Sequence, residues 1–336
     1  MQRILAADIG GTNSRFGFFE LPEEGGPRLV ALLRQPTTGA ESFHALLQGL
    51  FASNPPFGPQ ACDMAVLAVA GPVDGGLYCH TTNIDWDIDL ADAARVGLSR
   101  ALLINDFAAQ AWACRSEAVQ GARVLQQGRA EPGGVVGVIG AGTGLGHCAL
   151  VPLGPVGGGT GGGLGGPSAG SGGWMALPSE AGHAVFPFVG EAEAAYGENV
   201  RRQLGRECCV GDDIVTGGGL ARLFTHLTGK AATPAEAAAE LVDQPQVVEW
   251  FARFYGRASR NYALNVLARG GLYLAGGVAA KNPCLVEHPA FLQEFTRSVT
   301  HHELLAAIPL LLNSNEESGV YGAALAAEQL LRGATE

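Results

Sequence analysis

Nowhere in the 336-residue chain do about 18 apolar residues run uninterrupted, and no basic segment followed by an apolar stretch stands at its start. Neither a membrane span nor a signal peptide is therefore expected, and the chain reads as cytoplasmic. No run of lysine or arginine is present either: 21 basic residues face 32 acidic ones, leaving a net charge of −11, which argues against general binding to nucleic acid. Charged residues make up only 16% of the chain while hydrophobic ones reach 47%, a balance that excludes an unfolded chain. The seven cysteines (Cys62, Cys79, Cys114, Cys148, Cys208, Cys209 and Cys284) are odd in number and scattered, without a C-x-x-C spacing. That pattern excludes a disulfide framework and a zinc site and leaves small buried residues or free thiols.

What the chain has in excess is glycine, 50 residues of it, about twice the usual share of roughly 7%. The densest tract is 154–173, where twelve of twenty positions are glycine and none is charged. It is expected to be a flexible, elongated hairpin loop between a strand near Leu150 and the apolar Trp174-Met175-Ala176-Leu177.

The length implies about two domains. The apolar run Ile4 to Ala7 ends in Asp8-Ile9-Gly10-Gly11-Thr12-Asn13, and Phe16 and Phe18 then alternate as in a returning strand. The same arrangement recurs from Val135 to Ile139 through Gly140-Ala141-Gly142-Thr143-Gly144-Leu145-Gly146 into Cys148, Leu150 and Val151. Two strand, glycine-loop, strand units about 130 residues apart suggest a duplicated architecture. Phe43, Leu46, Leu47, Leu50 and Phe51 follow the spacing of one helical face. Met64 to Ala70 and Ala101 to Ile104 read as buried strands, the second followed by a helix over Phe107 to Cys114. Thr233-Pro234-Ala235-Glu236 is a capping box. It opens a long helical region that ends at Gly270-Gly271, before strands at Leu272 to Ala275 and Ile308 to Leu312 and a last helix from Ser318 to Leu331. Strands alternating with helices predict an α/β fold with ligands at the carboxyl ends of the strands.

Backbone N–H groups without a Cβ in the way can cradle phosphates. Gly10-Gly11-Thr12 and Gly142-Thr143-Gly144 each offer such a cradle; each alone also suits an ordinary tight turn, and the matched pair favours a nucleotide. Asp8, just before the first loop, can hold Mg²⁺ directly or through water. Gly276-Gly277 closes an apolar strand, where a purine can lie close or a plain strand-to-helix turn can form. Asn105-Asp106 emerge at a strand's carboxyl end, so Asp106 can accept a hydroxyl proton or cap the next helix, with Asn105 beside it. Glu180 and His183, three apart beside glycine, suit a polyhydroxylated ligand or a structural histidine.

Taken in order, Asp8-Ile9-Gly10-Gly11-Thr12-Asn13, Thr82-Asn83-x-x-Trp86, Ile104-Asn105-Asp106-Phe107, Gly140 to Gly146, Glu180-x-x-His183 and Ala275-Gly276-Gly277 closely resemble bacterial ATP-dependent glucokinases of the hexokinase and actin-like ATPase superfamily. The resemblance spans nearly the whole chain. It implies a two-lobed fold of duplicated ribonuclease-H-like units with a deep interlobe cleft: residues 1–107 with 316–336 in the smaller lobe and 108–315 in the larger. It further implies phosphorylation of glucose at the 6-hydroxyl by MgATP, with Asp106 as catalytic base and Asn105, Glu180, His183 and Asp212 as sugar ligands. Asp8, Gly10, Gly11, Thr12, Asn13, Gly142, Thr143, Gly144, Gly276 and Gly277 would surround the nucleotide, and a homodimer is expected. Asp212 stands where the family usually has glutamate, so Asp213 or water is an alternative and another hexose, such as mannose, fructose or an amino sugar, remains open as substrate. Ser179 and Ala181 replace the family's usual glycines. A sugar sensor that has lost the chemistry is the remaining reading, opposed by the presence of Asp8, Asp106 and both loops.

Overall fold

A computed structural model describes residues 1–81, 83–154 and 173–333. The chain divides into two compact units, Met1–Gly121 with Asn315–Glu336 and Ala122–Ser314.

In the first unit the strands are β1 (Gln2–Ile9), β2 (Asn13–Leu21), β3 (Arg28–Pro36), β4 (Met64–Val69), β5 (Val73–Asp74), β6 (Tyr78–Cys79), β7 (Ile88–Asp89) and β8 (Ala101–Asn105). The main sheet runs β3-β2-β1-β4-β8, while β5, β6 and β7 form a small antiparallel sheet of their own. β1 pairs antiparallel with β2 and parallel with β4, which in turn pairs parallel with β8. All six residues of β4, Met-Ala-Val-Leu-Ala-Val, are buried, as an unbroken apolar run in a central parallel strand should be.

Helix α1 (Phe43–Ala52) starts where the Ser42 side chain accepts the Ala45 N–H, and it buries Phe43, Leu46, Leu47 and Leu50, the face expected from their spacing. Helices α2 (Leu90–Arg95) and α3 (Asp106–Ala113) follow. The C-terminal helix, Ser318–Gly333, packs on α3 at Gly322, where a Cβ would fall 1.8 Å from the Ala109 carbonyl oxygen. α3 thus falls in the first unit, which runs to Gly121, and residue 107, the expected boundary, lies inside that helix.

The second unit contains β9 (Arg123–Gln126), β10 (Val136–Ala141), β11 (Leu145–Pro152), β12 (Trp174–Ser179), β13 (Gly271–Ala275) and β14 (Leu310–Leu312), in the order β12-β11-β10-β13-β14-β9. β10, β13 and β14 are parallel, while β11 and β12 continue antiparallel. The first five strands therefore repeat the order and direction of β3-β2-β1-β4-β8, with β9 added antiparallel at one edge. The duplication expected from the two glycine loops is thus present as topology. β11 and β12 pair as a hairpin and the Leu153 N–H reaches the Gly173 carbonyl at 2.7 Å, but residues 155–172 of the glycine-rich tract lie outside the described residues.

Its helices are α4 (Gly190–Leu204), α5 (Gly211–Ile214), α6 (Gly217–Thr228), α7 (Pro234–Ala239), α8 (Pro245–Val266), α9 (Gly277–Lys281), α10 (Cys284–Glu287), α11 (Pro289–Phe295) and α12 (His302–Ala307). The Thr233 and Glu236 capping box forms as expected. The 22-residue α8 crosses the core, and its fully buried Arg257 is matched by Glu193 at 2.6 Å and Glu294 at 3.0 Å. None of the seven cysteines forms a disulfide, and no helix among the described residues is long and apolar enough to cross a membrane.

Candidate active site

In the first unit the reactive groups stand at the carboxyl ends of parallel strands. β1 and β2 form a hairpin closed by Gly10, Gly11 and Thr12, with the Gly10 N–H donating to the Asn13 carbonyl at 3.2 Å. Gly11 has no room for a side chain, since a Cβ there would lie 2.8 Å from the backbone oxygen of Asn83. Thr12 and Asn13 are exposed. The register that the hairpin imposes places Arg15 opposite Asp8. The guanidinium reaches Asp8 Oδ2 at 3.5 Å and Glu316 Oε2 at 2.8 Å. Burial lifts the Asp8 carboxyl above its ordinary range, and Arg15 offsets part of that shift. From the other side Gly319 of the C-terminal helix leaves space for this carboxylate: a Cβ would come within 3.2 Å of it.

Asn105 ends β8 and caps α3, its Oδ1 accepting the Phe107 N–H at 2.9 Å while its Nδ2 donates to the Gly71 carbonyl at 3.1 Å. Capping thus falls to Asn105, and Asp106 is the first helical residue. Burial, and then the negative charge of Asp8, push the Asp106 carboxyl up to about 7, against the opposing pull of the Phe107 N–H. β4 lies between the strands that carry the two acids, so they project from one end of the sheet close enough to feel each other. A carboxylate balanced near neutrality beside a second acid is suited to accepting a hydroxyl proton. Of the remaining motif, Trp86 packs on Phe43 and donates to the Ala40 carbonyl at 2.9 Å, a structural role, and Thr82 lies outside the described residues.

In the second unit, Gly142, Thr143 and Gly144 turn between β10 and β11, with the Gly142 N–H donating to the Gly144 carbonyl at 2.8 Å. Gly276 adopts φ +84°, and a Cβ there would fall 2.5 Å from the Ala141 carbonyl oxygen. Gly277 faces open space. The buried hydroxyl of Tyr255 fastens both strand ends, accepting the Ala141 N–H at 3.3 Å and donating to the Ala275 carbonyl at 3.5 Å. These two glycine segments therefore lie together at the carboxyl ends of β10 and β13.

Glu180 and His183 flank a single 3-10 turn after β12, their side chains 80% and 66% exposed and 3.7 Å apart. Asp212 joins them: a Cβ on Gly182 would come 3.3 Å from its Oδ1. Asp213, the alternative to Asp212, points elsewhere, being buried, paired with Arg206 at 2.6 Å and accepting the Val210 N–H at 2.9 Å. Sequence reasoning passed over Arg15, Tyr255 and His147. Arg15 was within reach, because a hairpin closed at Gly10-Gly11 sets it opposite Asp8, whereas Tyr255 sits on a helix more than 100 residues from the loop it supports. No cluster of three His, Cys, Asp or Glu side chains able to hold a metal occurs among the described residues.

A family model described as Glucokinase matches residues 5–156 and 152–330. The chain belongs to the glucokinase family. Like the other glucokinases, it is an enzyme of the kinase class. It is 29% identical to the glucokinase of Synechocystis sp. over 97% of this chain and 98% of that one. Among solved structures, a glucokinase from an Antarctic psychrotroph superposes with a TM-score of 0.80 at 24% identity, covering 98% of this chain and 99% of that one. A ROK family glucokinase from Streptomyces griseus, solved with glucose and AMPPNP, gives 0.57 at 20% identity, covering 97% and 99%. The fold is accordingly the duplicated, two-lobed fold of actin-like ATPases, with its acids and glycine loops on the strand ends that the fold reserves for ligands.

Proposed function

We propose that this glucokinase-family chain transfers the γ-phosphoryl group of MgATP to the 6-hydroxyl of D-glucose, giving glucose 6-phosphate and ADP. The observation that carries the reading is Asp106: a buried carboxyl near neutrality, fixed at the start of α3 by Asn105 and placed two strands from Asp8, the acid just before the first glycine loop. Asp106 would orient the hydroxyl oxygen and take its proton late, because the transferred phosphoryl group passes through a largely dissociative transition state. Asn105, whose side chain also hydrogen-bonds to Asp106, is assigned to a neighbouring hydroxyl, and Glu180, His183 and Asp212 to the other hydroxyls of the sugar.

The N–H groups and hydroxyls of Gly10, Gly11, Thr12 and Asn13 and of Gly142, Thr143 and Gly144 are assigned to the phosphates, and Gly276 and Gly277 to the purine side. Mg²⁺ arrives with the nucleotide and needs only one or two protein carboxylates, the phosphates and water supplying its other ligands. Asp8, an acid just before a phosphate loop, fits that requirement and would hold the metal, which would neutralise charge on the phosphates. The sugar and nucleotide found in the Streptomyces griseus relative support the pairing of substrates. The protein is proposed to act in the cytoplasm as a homodimer, a mass that light scattering reads directly.

ADP release measured with glucose, mannose, fructose and glucosamine in turn tests the reading. Glucose should give the highest kcat/KM; a higher value for any other sugar would reassign the substrate, and ADP release independent of sugar would reject the kinase reading.

A further inference from the structure

Asp212 does more than stand near the sugar turn. Its Oδ1 accepts the Leu145 N–H at 2.5 Å. A Cβ on Gly144 or on Gly182 would fall 3.3 Å from that same oxygen, so the carboxylate rests against the α-carbons of both. Gly144 belongs to the second phosphate loop and Gly182 to the turn between Glu180 and His183. Leu145 closes the joint from its other side, because its carbonyl oxygen occupies the space of a Gly182 Cβ, 2.2 Å from where that atom would be.

Leu145 is also held at that carbonyl. His147, 4% exposed on β11 and paired in register with Ser179, hydrogen-bonds to the Leu145 backbone. Burial lowers the imidazole to about 4, so the ring is neutral and keeps a single N–H. On the far side the Thr216 hydroxyl donates to the Asp212 carbonyl at 2.9 Å and the Gly217 N–H donates to the Gly142 carbonyl at 3.0 Å. The phosphate loop and the sugar turn thus share one residue, Leu145, its N–H held by a carboxylate and its C=O by an imidazole.

We propose that Asp212, backed by His147, is a positioning residue that fixes the Gly142–Gly144 loop for the nucleotide and ties it to the sugar turn through the Leu145 backbone. The inference rests on the assignment of these two segments to nucleotide and sugar made above. A loop already held in its binding geometry avoids the ordering cost of binding, so the carboxylate supports nucleotide affinity even where no sugar is present.

Calorimetric titration of the full chain with MgADP, without sugar, separates this role from simple sugar contact. Asp212→Ala should bind MgADP about tenfold more weakly than wild type, the scale of one charge-assisted hydrogen bond. Asp212→Asn retains an Oδ1 acceptor for the Leu145 N–H and should stay within about threefold of wild type. Wild-type affinity in Asp212→Ala overturns the proposal. If thermal unfolding shows that Asp212→Ala does not fold, His147→Phe is measured in its place: weaker MgADP binding supports the role and unchanged binding overturns it. A wild-type chain that binds no MgADP overturns the phosphoryl-transfer reading itself, and this inference with it.

Discussion

Replacing Asp106 by Asn removes a charge while keeping shape and the capping geometry at the start of α3, so it isolates the chemical role of the carboxylate. General-base assistance is worth about 10²–10⁴ in rate, and kcat should fall by at least about 10² with KM for glucose changed by only a few fold. The structure adds a second, opposite effect. A carboxyl raised from its ordinary 3.8 to about 7 by burial and by Asp8 destabilises the folded protein once ionised, by up to about 4 kcal/mol at 1.36 kcal/mol per pH unit. The folded state binds the proton more tightly than the unfolded one, so the protonated carboxyl's contribution is full below about 3.8 and lost as pH rises through about 7. The Asn variant carries no such dependence. It should therefore melt progressively higher than wild type between pH 4 and 7, with the gap level above that, measured by thermal unfolding across the range. In the wild type, kcat/KM for glucose should rise with pH and flatten above about 7. An Asn variant within tenfold of wild-type kcat would remove Asp106 from the role of base. A melting difference independent of pH would refute the claim that burial holds its proton.

Other substitutions test the frame. Gly322→Ala sets a Cβ 1.8 Å from the Ala109 carbonyl oxygen and should cost about 1–3 kcal/mol through overpacking, read as a lower denaturation midpoint. Arg257→Leu leaves Glu193 and Glu294 buried without their central partner and should destabilise by about 3–5 kcal/mol, whereas exposed Arg95→Leu should change stability by less than about 1 kcal/mol. Tyr255→Phe removes the hydroxyl shared by the Ala141 N–H and the Ala275 carbonyl and should raise KM for ATP more than KM for glucose, a split seen by varying each substrate in turn.

Much of this architecture is written in local signals. Gly10-Gly11 and Gly142 to Gly144 announce hairpins because the backbone must turn without a Cβ, and alternation at Phe16 and Phe18 shows the returning strand. The spacing of Phe43, Leu46, Leu47 and Leu50 marks the buried side of α1, and Thr233 with Glu236 marks the start of α7. The limits of the first unit are not local, because α3 is claimed by Gly322 of a helix about two hundred residues later. Nor does a two-residue strand such as Val73–Asp74 carry a readable period. At the site, Asp8, Asn105 and Asp106 are legible from their strand ends. The engagement of Asp213 with Arg206, the Tyr255 hydroxyl between two strand ends and the grip of Asp212 on Leu145 arise only when distant segments meet.

The destination of the phosphoryl group tests the account at its centre. Phosphorus NMR of a mixture of protein, MgATP and glucose should show one new phosphomonoester on the 6-oxygen, growing in equal amount with ADP. ADP accompanied by inorganic phosphate, or phosphate on another oxygen of the sugar, would contradict it.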